Sequence, residues 1–434
     1  MKSRASETRP TLLLITASSP EIRRVRRSRV LNFQQITMPY LAALVPSHWN
    51  VMHVDEAVEP VDLNAPADLV GITFHTPSAP HAYALSAEYR GRGIPVVLGG
   101  PHVTLLPDEA RGHADAIFTG EAEAQWPRFL REFERGEHRP RYDSVEPPAL
   151  EHVPMARKDL YHRRDHTAGR LFATRGCPHA CDFCTLPAMY HRDLRKRSVA
   201  AVAGEFASFR GKVIIFWDDN LAGDRQYAKA LFREITPFRK WWSSQVSIQA
   251  GEDPEYLELA ARSGCKQLFI GLESVSQASM DGVHKKFNRV DEYARIIERI
   301  HSYGIAVQAG IVFGFDGDTD SIFGETLDFL EGAGVQNATF NILTPYPGTP
   351  LYRRLSGEHR ILTRDWNRYN GREDVVFQPR HMSPRALIEG FRYANRRFYS
   401  PGSLTRRLAR SPVGLWWTLP LNLAYAWSLR RRQL

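Results

Sequence analysis

The chain has 434 residues, of which 43% are hydrophobic and 24% charged. This is the composition of a globular protein of two or three domains, and no run reaches the roughly 20 apolar residues of a membrane span. Four cysteines exclude a disulfide-stapled scaffold and a carrier of several multi-thiolate metal clusters. The formal charge of +9 is confined to one end. Residues 380–434 hold eleven arginines against the single acid Glu389, a local charge of +10, which leaves the body at −1. A nucleic-acid surface needs a basic face along the body, so no nucleic-acid partner is expected.

The first apolar stretch, TLLLITA (11–17), is short for a signal peptide and follows Glu7. It reads as a first strand of a cytoplasmic protein. WNVMHV (49–54), ADLVGITF (67–74), IPVVLGG (94–100) and ADAIFTG (114–120) follow, separated by helical patterns such as MPYLAALV (38–45) and AYALSAEYRGRG (82–93). Short buried strands alternating with helices predict an α/β fold, a doubly wound, Rossmann-like parallel sheet over residues 8–137. Ligands of such sheets bind beyond the carboxyl ends of the strands. Those ends carry Thr73, Gly99, Gly100, Gly120 and Glu121. The Pro-rich segment 138–164 reads as a linker.

A second β/α series occupies 165–362. Its expected strands are 170–174, 212–217, 245–250, 267–272, 306–313 and 338–343, with helices at 255–264 and 292–304. Six units predict a partial (β/α)6 barrel with its chemistry at the carboxyl ends of the strands. Residues 363–434 read as a mainly helical extension with a basic, Trp-rich tail.

The strongest signal is RGCPHACDFCTLP (175–187), directly after the first barrel strand. Cys177, Cys181 and Cys184 form a C-x3-C-x2-C group. Three thiolates on a cubane of four irons leave one iron open to a ligand. Two blander readings are a structural zinc site, with His179 or Cys265 as fourth ligand, and three unrelated thiols. Cys265 reads as a buried core thiol.

The motif, Phe183 before its third cysteine and the six β/α units resemble the radical S-adenosylmethionine (SAM) enzymes. The resemblance implies a [4Fe-4S] cluster that chelates SAM and cleaves it to a 5′-deoxyadenosyl radical. It places SAM contacts at Phe183, at Asp218 and Asp219 in FWDDN, at Glu273 in FIGLES, and at Val312 and Gly314 in GIVFGF. No catalytic residue beyond the cluster is assigned. The preceding sheet makes the chain similar to the cobalamin-binding branch, close to hopanoid- and porphyrin-modifying relatives. That resemblance puts the cobalamin tail at Thr73, Gly99, Gly100, Gly120 and Glu121. The Asp-x-His-x-x-Gly element of cobalamin domains with a histidine cobalt ligand is absent; His48 is the first histidine. His75 and His102 flank the expected pocket as hydrogen-bonded polar residues.

The resemblance implies cobalamin-dependent C-methylation of an apolar small molecule or lipid. It also implies an external electron donor such as flavodoxin or ferredoxin. Two alternatives stay open: a cobalamin-assisted radical oxidation or ring closure of the porphyrin-ester-cyclase kind, and a non-catalytic iron–sulfur redox protein. In the tail, VGLWWTLPLNLAYAWSL (413–429) precedes Arg430, Arg431 and Arg432. Indoles beside a cationic run suit the inner membrane face. A C-terminal helix docked on the barrel explains the same residues.

Overall fold

The computed structural model describes residues 9–25, 35–144, 147–161, 168–190 and 192–432. The chain divides into two compact units between Arg164 and Asp165. The first is built on six strands: β1 Thr11–Thr16, β2 Asn50–Asp55, β3 Leu69–Thr73, β4 Val96–Gly99, β5 Ala116–Thr119 and β6 Arg141–Asp143. They lie in the order β2-β1-β3-β4-β5-β6, and every pairing is parallel. All six residues of β1 are buried, as expected of a strand covered on both faces. The order turns back between β1 and β3, and such a switch point is where doubly wound sheets take ligands.

Strand β6 lies inside the segment expected to be linker. A short RYD stretch carries no strand periodicity; its pairing depends on Tyr142. That ring stacks on Phe118 with centroids 5.0 Å apart, and its hydroxyl donates to Glu132 Oε2 at 2.5 Å.

The second unit holds β7 Gly169–Leu171, the antiparallel pair β8 Thr174–Arg175 and β9 Arg195–Lys196, then β10 Val213–Phe216, β11 Trp241–Val246, β12 Cys265–Glu273, β13 Ala306–Phe313 and β14 Asn337–Ile342. Its main sheet runs β14-β13-β12-β11-β10-β7, all parallel. The two edge strands do not pair, so the barrel is open. The third strand sits four residues earlier than expected. Trp242, Ser244 and Val246 alternate inward along it, and Trp242 Nε1 donates to Ser263 Oγ at 3.1 Å. The adjacent serines disguise this alternation in the sequence. The expected 245–250 segment instead runs into a 3-10 helix, Ile248–Glu252.

The extension is helical over Pro384–Phe398, Pro401–Leu408 and Leu415–Arg432. Ser383 and Ser400 cap the first two, each followed by a proline at the first helical position. Among the described residues, no helix is long and apolar enough to cross a membrane.

Tyr142→Ala removes a buried ring, a stack and a hydrogen bond together. It should destabilise the N-terminal unit by about 3–5 kcal/mol, whereas Tyr142→Phe should cost about 1 kcal/mol. Urea unfolding midpoints of the two variants measure the difference.

Candidate functional site

The cysteine loop follows β8. It opens at Gly176, whose φ of 89° and position leave no room for a side chain: a Cβ would sit 2.0 Å from the Asp193 carbonyl oxygen. Within the loop, Cys184 N donates to the Cys181 carbonyl at 3.0 Å. Other support comes from the segment after β12. Asp182 N donates to the Val283 carbonyl at 3.1 Å, His284 Nδ1 lies 2.9 Å from Asp182 Oδ2, and His179 stacks on Phe287 at 3.7 Å. Burial pushes the Cys181 thiol up to about 11 and the Cys184 thiol up to about 12; Cys177 adds to both and Cys181 to the second. Among the described residues, no three His, Cys, Asp or Glu side chains gather tightly enough to hold a metal ion. Three thiols on one loop are the donor set of a cluster whose separate irons each take one.

The residues after β10 clamp the loop. Asp218 was expected to face SAM, but its buried carboxylate points into the protein. It accepts from Ala173 N at 3.1 Å, Thr174 N at 2.5 Å and Thr174 Oγ1 at 2.6 Å. Asp219 Oδ2 accepts from Gly176 N at 2.9 Å. Asn220 Nδ2 donates to Cys177 Sγ at 3.7 Å, and its Oδ1 accepts from Ser247 N at 2.9 Å.

Glu273 ends β12 at a register shift, in left-handed backbone with φ 66°. This strained geometry, of order 1–3 kcal/mol for a non-glycine residue, brings Oε1 to 2.6 Å from Lys285 Nζ. Lys285 Nζ also donates to the Gly271 carbonyl at 2.9 Å. Burial works to lower its pKa, but Glu273 and the thiols of Cys181 and Cys184 outweigh that and hold it above the ordinary lysine value. The amine also lies 6.0 Å from the Phe183 ring centroid. Sequence reasoning missed Lys285, because nothing in HKKFN distinguishes the buried lysine from its neighbour. The one signal was two adjacent lysines shortly after a strand-end glutamate.

Phe183 meets Phe315 edge to face at 5.7 Å, which joins the cysteine loop to the end of β13. Val312 is half-buried on that strand. Gly314 was expected at an adenine contact. Its φ is 107°, and the space a side chain would take is filled by Leu387, 2.8 Å from such a Cβ, and Phe377. The extension therefore packs against Gly314. Cys265 is buried at the other end of β12, apart from the cysteine loop.

In the first unit, Thr73, Gly99, Gly100 and Gly120 gather at the carboxyl ends of β3, β4 and β5, all partly accessible. The glycines differ in cause. Gly100 has φ 101°, and a Cβ there would lie 2.5 Å from Thr73 Oγ1; Gly120 has φ 69° and would crowd Ser144. The protein's own backbone demands both. Gly99 meets only Phe118, at an ordinary 3.6 Å, so its missing side chain leaves a cradle that internal packing does not require. Glu121 is buried beside Gly120. His102 is fully buried, with Thr76 Oγ1 3.2 Å from Nδ1 and Glu109 Oε1 3.1 Å from Nε2. His75 is exposed.

An open six-stranded barrel with three thiols at its strand ends is the architecture of a radical SAM enzyme. Residues 171–330 match the Radical SAM superfamily and residues 22–130 the B12 binding domain, while 349–413 match a domain of unknown function. The chain is 30% identical to bacteriochlorophyllide d C-8(2)-methyltransferase of Chlorobaculum tepidum, across 79% of this chain and 80% of that protein. It is 28% identical to bacteriochlorophyllide d C-12(1)-methyltransferase of the same organism, across 90% and 89%. The solved radical SAM methyltransferase TsrM from Kitasatospora setae shares the fold, with a TM-score of 0.64 at 17% identity over 81% of this chain and 76% of that one. The chain belongs to the cobalamin-binding radical SAM enzymes, whose cofactors are a [4Fe-4S] cluster, SAM and cobalamin.

Two outcomes test the site. Asp218→Ala should cut the iron retained after anaerobic reconstitution several-fold, read by iron and sulfide analysis, because the loop loses its buried acceptor; Cys265→Ala should retain it. Lys285→Met leaves Glu273 a buried, unpaired charge and should cost about 3–5 kcal/mol. Adding Glu273→Gln should recover much of that in the same unfolding measurement.

Proposed function

We propose that this enzyme is a C-methyltransferase acting on an apolar, polycyclic or lipid-like small molecule. The observation that carries the reading is its extent: both units align along almost the full length of methyltransferases whose names specify bacteriochlorophyllide carbons. When bound, the cluster, SAM and corrinoid supply the 5′-deoxyadenosyl radical and the transferred methyl group. Cys177, Cys181 and Cys184 hold the cluster and release their protons as it loads. Asp218 fixes the approach to the loop without touching SAM. Lys285, kept charged and aimed by Glu273, holds the carboxylate of SAM, and Asp219 serves its ammonium. Phe183 and Val312 would give the adenine an apolar flank, at the strand end where Gly314 packs on the extension. Thr73, Gly99, Gly100, Gly120 and Glu121 form the seat for the corrinoid tail, with Gly99 leaving the space. An external one-electron donor such as flavodoxin or ferredoxin completes the system. The basic tail makes peripheral contact with a membrane.

Reconstituted protein given SAM and a strong reductant should form 5′-deoxyadenosine. Alanine at Cys177, Cys181 or Cys184 should abolish that product, and its persistence in all three variants would sink the reading. Protein supplied with hydroxocobalamin should keep corrinoid after desalting, and Gly99→Val should reduce retention several-fold, seen in the visible spectrum. Wild-type protein that holds no corrinoid at saturating supply would remove methyl transfer.

A further inference from the structure

The C-terminal helix, Leu415–Arg432, turns several polar residues toward the protein and a row of large apolar ones toward solvent. Thr418, Asn422 and Ser428 are buried. Trp417 Nε1 donates to Gln267 Oε1 at 3.1 Å, and the Tyr425 hydroxyl lies 3.3 Å from both Gln308 Nε2 and Thr339 Oγ1. Tyr425, Ala426 and Leu429 also pack inward, and another set of apolar residues faces out. Leu415, Trp416, Leu419, Leu423 and Trp427 are 37–53% exposed. At 3.6 residues per turn these five fall within an arc of about 120°, one continuous stripe along the helix.

Basic residues lie toward both ends of the stripe in the sequence and fold. No acidic residue occurs after Glu389, and Arg430, Arg431 and Arg432 end the helix. At the other end Trp416 packs on Trp241 at 4.5 Å, with Lys212 Nζ 5.9 Å above the Trp241 ring. Phe238, three residues before Trp241, is also exposed.

We propose that this outward stripe is the surface through which the protein lies on an anionic lipid bilayer, the helix resting in the plane of the interface. The proposal rests on the peripheral contact read above and assigns it to particular residues. Large apolar side chains including two indoles, flanked by cations, match the boundary between acyl chains and anionic headgroups. Gln267, Gln308 and Thr339 lie near the N-terminal ends of their strands, whereas Glu273 and the cysteine loop lie at the other end. The bilayer contact is therefore remote from the candidate site, six residues of β12 or about 20 Å away.

The test uses full-length protein and sucrose-loaded vesicles of phosphatidylcholine, alone or with about one-third phosphatidylserine. Wild-type protein should sediment with the anionic vesicles and about tenfold less with neutral ones. Leu419→Glu with Leu423→Glu, both at exposed positions, should reduce binding about tenfold while circular dichroism and reductive SAM cleavage stay as in wild type. If the double variant binds as well as wild type, the stripe is not the contact and the proposal is overturned. If wild-type protein does not sediment, the contact and its assignment both fall, leaving the methyltransferase reading untouched. If wild type is a dimer in solution and the double variant a monomer, the face belongs to a second copy and the proposal is overturned.

Discussion

Asp218 gathers two backbone N–H groups and a hydroxyl from Ala173 and Thr174, the residues leading into the cysteine loop, where water is excluded. A loop that presents three thiols to one cofactor cannot also order itself with regular backbone pairing. Its N–H groups need acceptors from elsewhere, and a carboxylate is the densest acceptor a side chain offers. Burial pushes the Asp218 carboxyl up to about 7, and the donors from Thr174 and Ala173 pull the other way. Asp219 and Asn220 continue the clamp onto Gly176 and Cys177. Three consecutive side chains thus hold the start of the loop from one strand end. Asn220 adds an N–H directed at a sulfur, one of the ways a protein sets the potential of a cluster.

The opposite wall relies on a charged pair. Lys285 and Glu273 are both largely removed from water, and such a pair is costly unless its remaining polar atoms are also bonded. The Gly271 carbonyl takes one further Lys285 proton, and Asn288 Nδ2 bonds the carbonyls of Gly271 and Leu272. The left-handed backbone at Glu273 aims its carboxylate across to that lysine. Gly271 allows the arrangement, since a Cβ there would lie 2.4 Å from Glu273 Oε1. Strain and ion pair therefore sustain each other, and the net product is a fixed ammonium beside the thiols.

Much of this was legible in the sequence. Both parallel sheets follow from short apolar runs separated by helical periodicity, and C-x3-C-x2-C with the aromatic Phe183 pointed to the chemistry. The failures share a cause. Strand β11 was expected four residues late because the adjacent serines mask the alternation that begins at Trp242. Strand β6 hid because it depends on one ring meeting Phe118, a contact no local pattern encodes. Asp218 and Asp219 are adjacent and chemically alike, and only tertiary structure reveals which one turns inward. Lys285 and Lys286 pose the same problem. Residue type and spacing announce that a site exists; which of two identical neighbours serves it depends on backbone direction.

The C-terminal helix shows how one end of an open barrel can dictate the other surface of the element that covers it. The inward positions near the strand starts carry Gln267, Gln308 and Thr339, which a helix of leucines could not satisfy. Trp417 and Tyr425 meet them with polar atoms, and Thr418 and Asn422 occupy the same side. With these polar atoms used inward, the helix shows mainly leucines and tryptophans outward among the described side chains. Of the two accounts of the tail that the sequence left open, the docked helix is the one the structure displays, and it leaves a row of large apolar side chains on its outer side. The outward face also lies at the strand ends away from the thiols. The tail is consequently poor grounds for a lipid substrate, since a bilayer beneath it does not feed the site directly. The case for an apolar substrate rests instead on the likeness to bacteriochlorophyllide methyltransferases.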